Sequence, residues 1–213
     1  MTRPPESLPE KAFLLAYDLR RQRLTGRGEL GYLLRAAALA DLLLRGHLAD
    51  ESGKARTVKP AADLDPVLRA AWEEIEYSSP RSWRRWVSVR RQGAVREVRD
   101  QLADAGVVKL DRRRILGLFP ATRITVRQHA EVKRLAEQVG RAIRGGQPAS
   151  RVEPDTAALA ALAAAGRLRL VLTGADQRRH RGRLSTLADP IQPIAAALRR
   201  AIAAKRAAAA SSG

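Results

Sequence analysis

Residue patterns that would carry acid–base or metal chemistry are scarce in this 213-residue chain. His47, His129 and His180 each stand without a second ligand three or four residues away, so the spacing that sets two metal ligands on one helix face is missing. There is no cysteine, which excludes a disulfide framework, a thiolate zinc site and a thiol nucleophile. No Gly-x-x-x-x-Gly-Lys and no Gly-x-Ser-x-Gly occurs, and no Gly-x-Gly-x-x-Gly follows a predicted strand. Glu73, Glu74 and Glu76 share one predicted helix, but in so basic a chain they read as ion-pair partners rather than an acid–base pair. The chain is therefore read as non-enzymatic, with no metal and no cofactor.

The chemistry that the sequence does carry is basic. Lys plus Arg number 40 against 22 Asp plus Glu, a net charge of +18, and 34 of the 40 are arginine. Such a charge points to an anionic partner, and nucleic acid and an anionic membrane surface are the two large classes. Seven arginines (Arg81, Arg84, Arg85, Arg90, Arg91, Arg96, Arg99) and one acid, Glu97, fall between residues 81 and 99; planar guanidinium forks there can each grip two phosphate oxygens. Arg35 is a different case. It stands midway along the most apolar helix of the sequence, where an unpaired charge costs several kcal/mol. It must pair with a carboxylate, bond a carbonyl, or line an anion pocket.

Hydrophobic periodicity supplies the elements that position these groups. Ser7-Leu8-Pro9-Glu10 has capping-box spacing with proline in the first turn, opening a helix whose stripe is Phe13, Leu14 and Tyr17. Glu29–Arg45 is apolar on most faces, the pattern of a helix in the middle of a bundle, and Gly46 ends it. His47–Ala49 and Arg56–Val58 predict a hairpin around Asp50–Gly53. Helices follow over residues 65–77 and 82–104, the second a single long one. Val107–Leu110 and Ile115–Phe119 predict a second hairpin with the basic turn Asp111–Arg114. Residues 126–144 and 155–165 read as helices flanking a linker at 145–150, 167–172 as a strand-like segment, 178–183 as a basic loop, and 191 to about 208 as the last helix. Gly46, Gly106 and Gly166 are 60 residues apart with Leu42, Leu102 and Leu162 four ahead of each, a weak internal period. The fold class is mainly α: one helical-bundle domain over residues 7–205, with amphipathic outer helices, short β-hairpins, and flexible ends at 1–6 and 206–213. No apolar run is long enough to span a bilayer, so the expected location is cytoplasmic with peripheral membrane contact.

Helix–Gly–hairpin also suits a winged-helix nucleic-acid-binding protein with Arg112, Arg113 and Arg114 at a wing tip. Against this, no short polar recognition helix is evident, and nucleic acid stands second.

The opening Leu8-Pro9-Glu10-Lys11-Ala12-Phe13, the block Leu34-Arg35-Ala36-Ala37-Ala38-Leu39 through Arg45-Gly46-His47-Leu48, and Val95-Arg96-Glu97 through Gly106-Val107-Val108 and Leu116-Gly117-Leu118-Phe119-Pro120 resemble the Golgi phosphoprotein 3 family in its bacterial branch. The resemblance runs from about Ser7 to Ala204. It implies a mainly helical peripheral membrane protein that binds phosphatidylinositol 4-phosphate in a basic pocket, self-associates through a β-hairpin, and holds cytoplasmic tails of membrane proteins. Of the family's four pocket positions, Arg35 and Arg96 fall on two arginines, Gly93 on a third arginine and Gly26 on a tryptophan. Arg27, Arg90 and Arg91 are then the electrostatic substitutes. The hairpin of residues 107–119, with Leu110, Arg112, Arg113, Arg114 and Ile115, is the expected membrane or self-association element. Arg35→Ala and Arg96→Ala are each expected to weaken lipid binding without unfolding the chain.

Overall fold

A computed structural model describes residues 3–115 and 119–211, and of residues 112–115 and 119–121 it describes the backbone alone. In chain order the elements are α1 (Leu8–Leu15), β1 (Tyr17–Asp18), β2 (Arg23–Leu24), α2 (Arg27–Leu44), β3 (Leu48–Glu51), β4 (Lys54–Thr57), α3 (Pro66–Glu76), α4 (Trp83–Ser88) and α5 (Arg91–Asp104). They continue with β5 (Val108–Ile115), β6 (Phe119–Val126), α6 (His129–Arg144), α7 (Pro154–Ala165), α8 (Gly174–Arg179), α9 (Arg181–Ala188) and α10 (Gln192–Ser211), with 3-10 turns at Ala149–Arg151 and Asp189–Ile191. The strands form three antiparallel two-stranded hairpins: β1–β2, β3–β4 and β5–β6. The expected mainly α architecture is what the chain adopts.

The bundle is built around α2. Every residue from Leu30 to Leu42 is buried, and α1, α3, α4, α5, α7 and α10 all pack on it. Outer helices follow the amphipathic rule: α6 turns Val132, Leu135, Val139 and Ile143 inward and leaves Lys133, Arg134, Arg141 and Arg144 outside.

Buried carboxylates tie the start of the chain to this core. Asp41 on α2 accepts the Leu8 N–H at 2.6 Å, satisfying one of the donors that a helix N-terminus leaves unpaired, and it also pairs with Arg45. Burial pushes the Asp41 carboxyl above the ordinary aspartate range, opposed by the Leu8 N–H and the Arg45 charge. Glu10, fully buried, accepts from the Glu6 N–H (2.9 Å), the Ser7 N–H (3.4 Å), Arg3 Nη2 (3.0 Å) and Gln101 Nε2 (3.0 Å). Ser7 and Glu10 stand in the expected capping-box arrangement, with the Glu10 carboxylate accepting the Ser7 N–H. Arg3–Glu6, expected to belong to a flexible lead-in, are docked instead: the Arg3 N–H donates to Ala105 O at 3.2 Å and its guanidinium pairs with Glu6 and Glu10. At the other end, α10 runs on past residue 205 to Ser211.

The single helix expected over residues 82–104 is two. Val89 is extended, and Arg90 has φ +50°, between α4 and α5. No proline or glycine marks the break; the packing imposes it, since α4 buries Trp83 and Trp86 while α5 starts with the Arg91 carbonyl pressed against Gly31 of α2. A left-handed L-residue costs roughly 1–2 kcal/mol. Arg90→Gly is therefore expected to be neutral or to stabilise the fold by up to ~1 kcal/mol in urea unfolding. A loss larger than that would mean the Arg90 side chain contributes more than its exposed position suggests.

Other elements differ from expectation for similar tertiary reasons. Asp111–Arg114 is no turn: β5 runs through it, pairing Val108 with Val126 and Ile115 with Phe119, so the hairpin extends to residue 126 and α6 starts at His129. Residues 167–172 form no strand, and the basic stretch 178–183 carries the end of α8 and the start of α9. The 60-residue period breaks at its third member. Gly46 and Gly106 are left-handed caps (φ +73° and +71°), but the third cap falls on Arg167 at φ +53°, whose following Leu168 N–H closes on Ala163 O at 2.8 Å.

Candidate functional site

The site begins with the glycines that open α2. Gly26-Arg27-Gly28-Glu29-Leu30-Gly31 has the Gly-x-Gly-x-x-Gly spacing, and the β1–β2 hairpin, unmarked by any periodicity, places it directly after a strand. That strand is two residues of an antiparallel hairpin, not the first strand of a parallel β–α–β unit, so the dinucleotide reading lacks its frame. Each glycine has a different surrounding instead. Gly26 takes φ +61° at the helix cap, Gly28 lies beneath Lys205 Nζ, and Gly31 lets the Arg91 carbonyl approach the α2 backbone.

Arg35 sits one turn further along and is only 5% exposed. Its Nη2 donates to Glu74 Oε2 at 2.8 Å and its Nε to the Trp86 carbonyl at 3.4 Å. Two of the three outcomes expected for a charge in this helix, a carboxylate partner and a carbonyl acceptor, are thus realised together. Burial lowers the Arg35 pKa, against which the Glu74 and Glu97 carboxylates hold it up; Arg90 lowers it further. These four groups form one neutral cluster, α2 facing α3 and α5, in which Arg90 and Glu97 approach to 4.0 Å at the surface. The helical acids read as ion-pair partners include the one that neutralises Arg35.

The remaining candidate arginines are dispersed around this cluster. Arg96 and Arg27 are exposed, with no hydrogen bond or ion pair among the described residues. Arg91 donates to Ser88 O at 3.0 Å and lies over the Tyr32 ring, 4.9 Å from its centroid. At Gly93 a Cβ would meet Glu97 Oε1 at 3.0 Å, while at Gly26 it would meet nothing within 4 Å. The space where the family resemblance expects a tryptophan is therefore open. No direct bond joins Arg96 to Arg35. In the β5–β6 hairpin, Leu110 is half-buried against the core, and the side chains of Arg112, Arg113, Arg114 and Ile115 lie outside the described residues.

Two surface grooves were not foreseen from the sequence, and they carry opposite charge. Glu97, Asp100 and Asp104 of α5 line one of about 660 Å³ beside Val67 and Ala70 of α3. Arg84 and Arg85 of α4 face Lys205 of α10 across another of about 430 Å³. The 81–99 arginine count pointed to this region. Only the crossing of α4 and α10 gathers three cations around one recess, because those helices are far apart in sequence.

Among the described residues, no helix is long and apolar enough to cross a membrane. The profile of the Golgi phosphoprotein 3 (GPP34) family matches residues 8–205, nearly the whole chain. No curated protein matches it significantly.

Proposed function

We propose, from the premise that the chain belongs to the Golgi phosphoprotein 3 family, that it is a peripheral membrane adaptor without catalytic activity. It takes an anionic lipid head group, phosphatidylinositol 4-phosphate or another, through Arg35, Arg96, Arg27, Arg90 and Arg91, and its cargo is the cytoplasmic tails of membrane proteins. The observation that carries the reading is an arginine held inside the central helix of a family member, with two exposed arginines, Arg96 on α5 and Arg27 at the start of α2, that make no ion pair among the described residues. Arg96 and Arg27 offer free forks at the surface, and the open space at Gly26 leaves room for a head group. Arg35 contributes from within: a phosphate that reaches it competes with Glu74 for the guanidinium, so the acid selects for a ligand of higher charge density than a carboxylate. The β5–β6 hairpin serves membrane contact or self-association.

Co-sedimentation with phosphatidylcholine vesicles, with and without phosphatidylinositol 4-phosphate, tests this. Each arginine near an anionic surface is worth ~1 kcal/mol, so Arg96→Ala and Arg27→Ala should each lower the bound fraction about fivefold in partition coefficient. Unchanged partitioning of the double variant would overturn the assignment. Salt-sensitive retention of duplex DNA in place of vesicle binding would favour the nucleic-acid alternative.

A further inference from the structure

We infer that the groove between α4 and α10 is a second, independent site for a phosphomonoester, made by Arg84, Arg85 and Lys205. Its lining holds these three cations and no acid, whereas a larger groove elsewhere on the surface sets three carboxylates beside one arginine, Arg3. Arg84 and Arg85 are exposed and form no ion pair among the described residues. Lys205 comes from the opposite wall, kept in place by Glu29 at 3.9 Å and by the absence of a side chain at Gly28, where a Cβ would stand 2.3 Å from Nζ. Tyr32, Ser82 and Ser88 also line it; Ser88 Oγ is bonded to the Arg84 carbonyl, while Ser82 makes no side-chain bond to its own helix.

The recess exists because α10 presents Ala201 and Ala204 there. Small side chains on the α10 wall, opposite the two arginines of α4, give a concave site that a phosphate can enter. Arg81 over Trp86 (5.4 Å) and Arg91 over Tyr32 (4.9 Å) add positive charge just outside it. Three donors converging from two helices match a dianionic phosphate, which accepts several charge-assisted hydrogen bonds at once. None of Arg35, Arg96, Arg27, Arg90 and Arg91 lines the groove, Arg91 touching it only through the Tyr32 ring, and the site stands or falls separately from the function proposed above.

The phosphate could be on a lipid or on a soluble molecule, and one head group serves both arms of the test. Titration calorimetry with glycerol 3-phosphate probes the soluble form; co-sedimentation with phosphatidic acid vesicles, against phosphatidylcholine alone, probes the lipid form. Binding in either arm that falls at least tenfold in Arg84→Ala/Arg85→Ala/Lys205→Ala supports the site and identifies the source. Ala204→Trp, which fills the recess without altering charge at an exposed position, should weaken the same arm. Arg96→Ala should leave glycerol 3-phosphate binding unchanged. Arg178→Ala/Arg179→Ala/Arg181→Ala removes three exposed charges away from the groove and is the control for net charge. An equal loss in that control, full binding by the groove triple variant, or no binding by the wild-type chain in both arms would overturn the inference.

Discussion

Replacing Arg35 by methionine should destabilise the fold by about 3 kcal/mol, the cost of leaving one member of a buried ion pair behind. The side chains of Arg35 and Glu74 are 6% and 15% exposed, so water cannot rescue either charge fully. Methionine fills much of the volume but leaves the Glu74 carboxylate facing α2 without its guanidinium, and the Trp86 carbonyl loses a donor. The companion change discriminates the cause. In Arg35→Met/Glu74→Leu both charges are gone, and most of the stability should return, because a buried pair replaced by apolar groups is often neutral. Urea unfolding of the wild type, both singles and the double gives the coupling directly. A single-variant loss under ~0.5 kcal/mol would mean that the pair is solvated or absent. An Arg35 variant, expected from sequence alone to weaken lipid binding without unfolding the chain, therefore needs its stability measured before its binding is interpreted. Arg96, exposed and with no ion pair among the described residues, is the cleaner probe.

Gly31→Ala should also be strongly destabilising, by about 2–3 kcal/mol. What makes the result diagnostic is its sign. In the interior of an ordinary helix, exchanging glycine for alanine gains about 1 kcal/mol. Here a Cβ would lie 2.0 Å from the Arg91 carbonyl oxygen and 2.8 Å from its carbon, both backbone atoms that no rotamer change can move. Either α5 shifts away from α2 or the start of α5 unwinds, and in both cases Val98 and Leu102, buried at the same interface, lose packing. Urea midpoints of the two proteins at equal slope would measure it. A gain in stability would show that α2 and α5 are not in this close contact.

Legibility in the sequence followed the range of the forces involved. The central helix was visible because thirteen consecutive buried positions leave a run with almost no polar interruption. The amphipathic α6 and the β3–β4 hairpin were visible because their signals lie within a few residues of each other. The break at Arg90 was not, since nothing local requires it and the Gly31 contact that does lies 60 residues upstream. Asp111–Arg114 looked like a turn because it is polar, but paired with Arg123–Pro120 it is the middle of a strand. Where successive residues of a strand are polar, the residue pattern says little about its register or where the chain reverses.

Composition and local pattern alone determined that this chain is basic, mainly helical and without thiol chemistry, and that one arginine in its most apolar helix needed a carboxylate, a carbonyl or an anion. Those conclusions rest on residue type and spacing, which tertiary packing does not alter. What only the tertiary structure decided is which partner each charge meets. Glu74 rather than Glu73 or Glu76 reaches Arg35, and Lys205 rather than a nearer cation faces Arg84 and Arg85. The physical reason is that electrostatic partnership depends on distance in space and on burial, and helices joined by long connections bring together residues whose separation in sequence carries no trace of it.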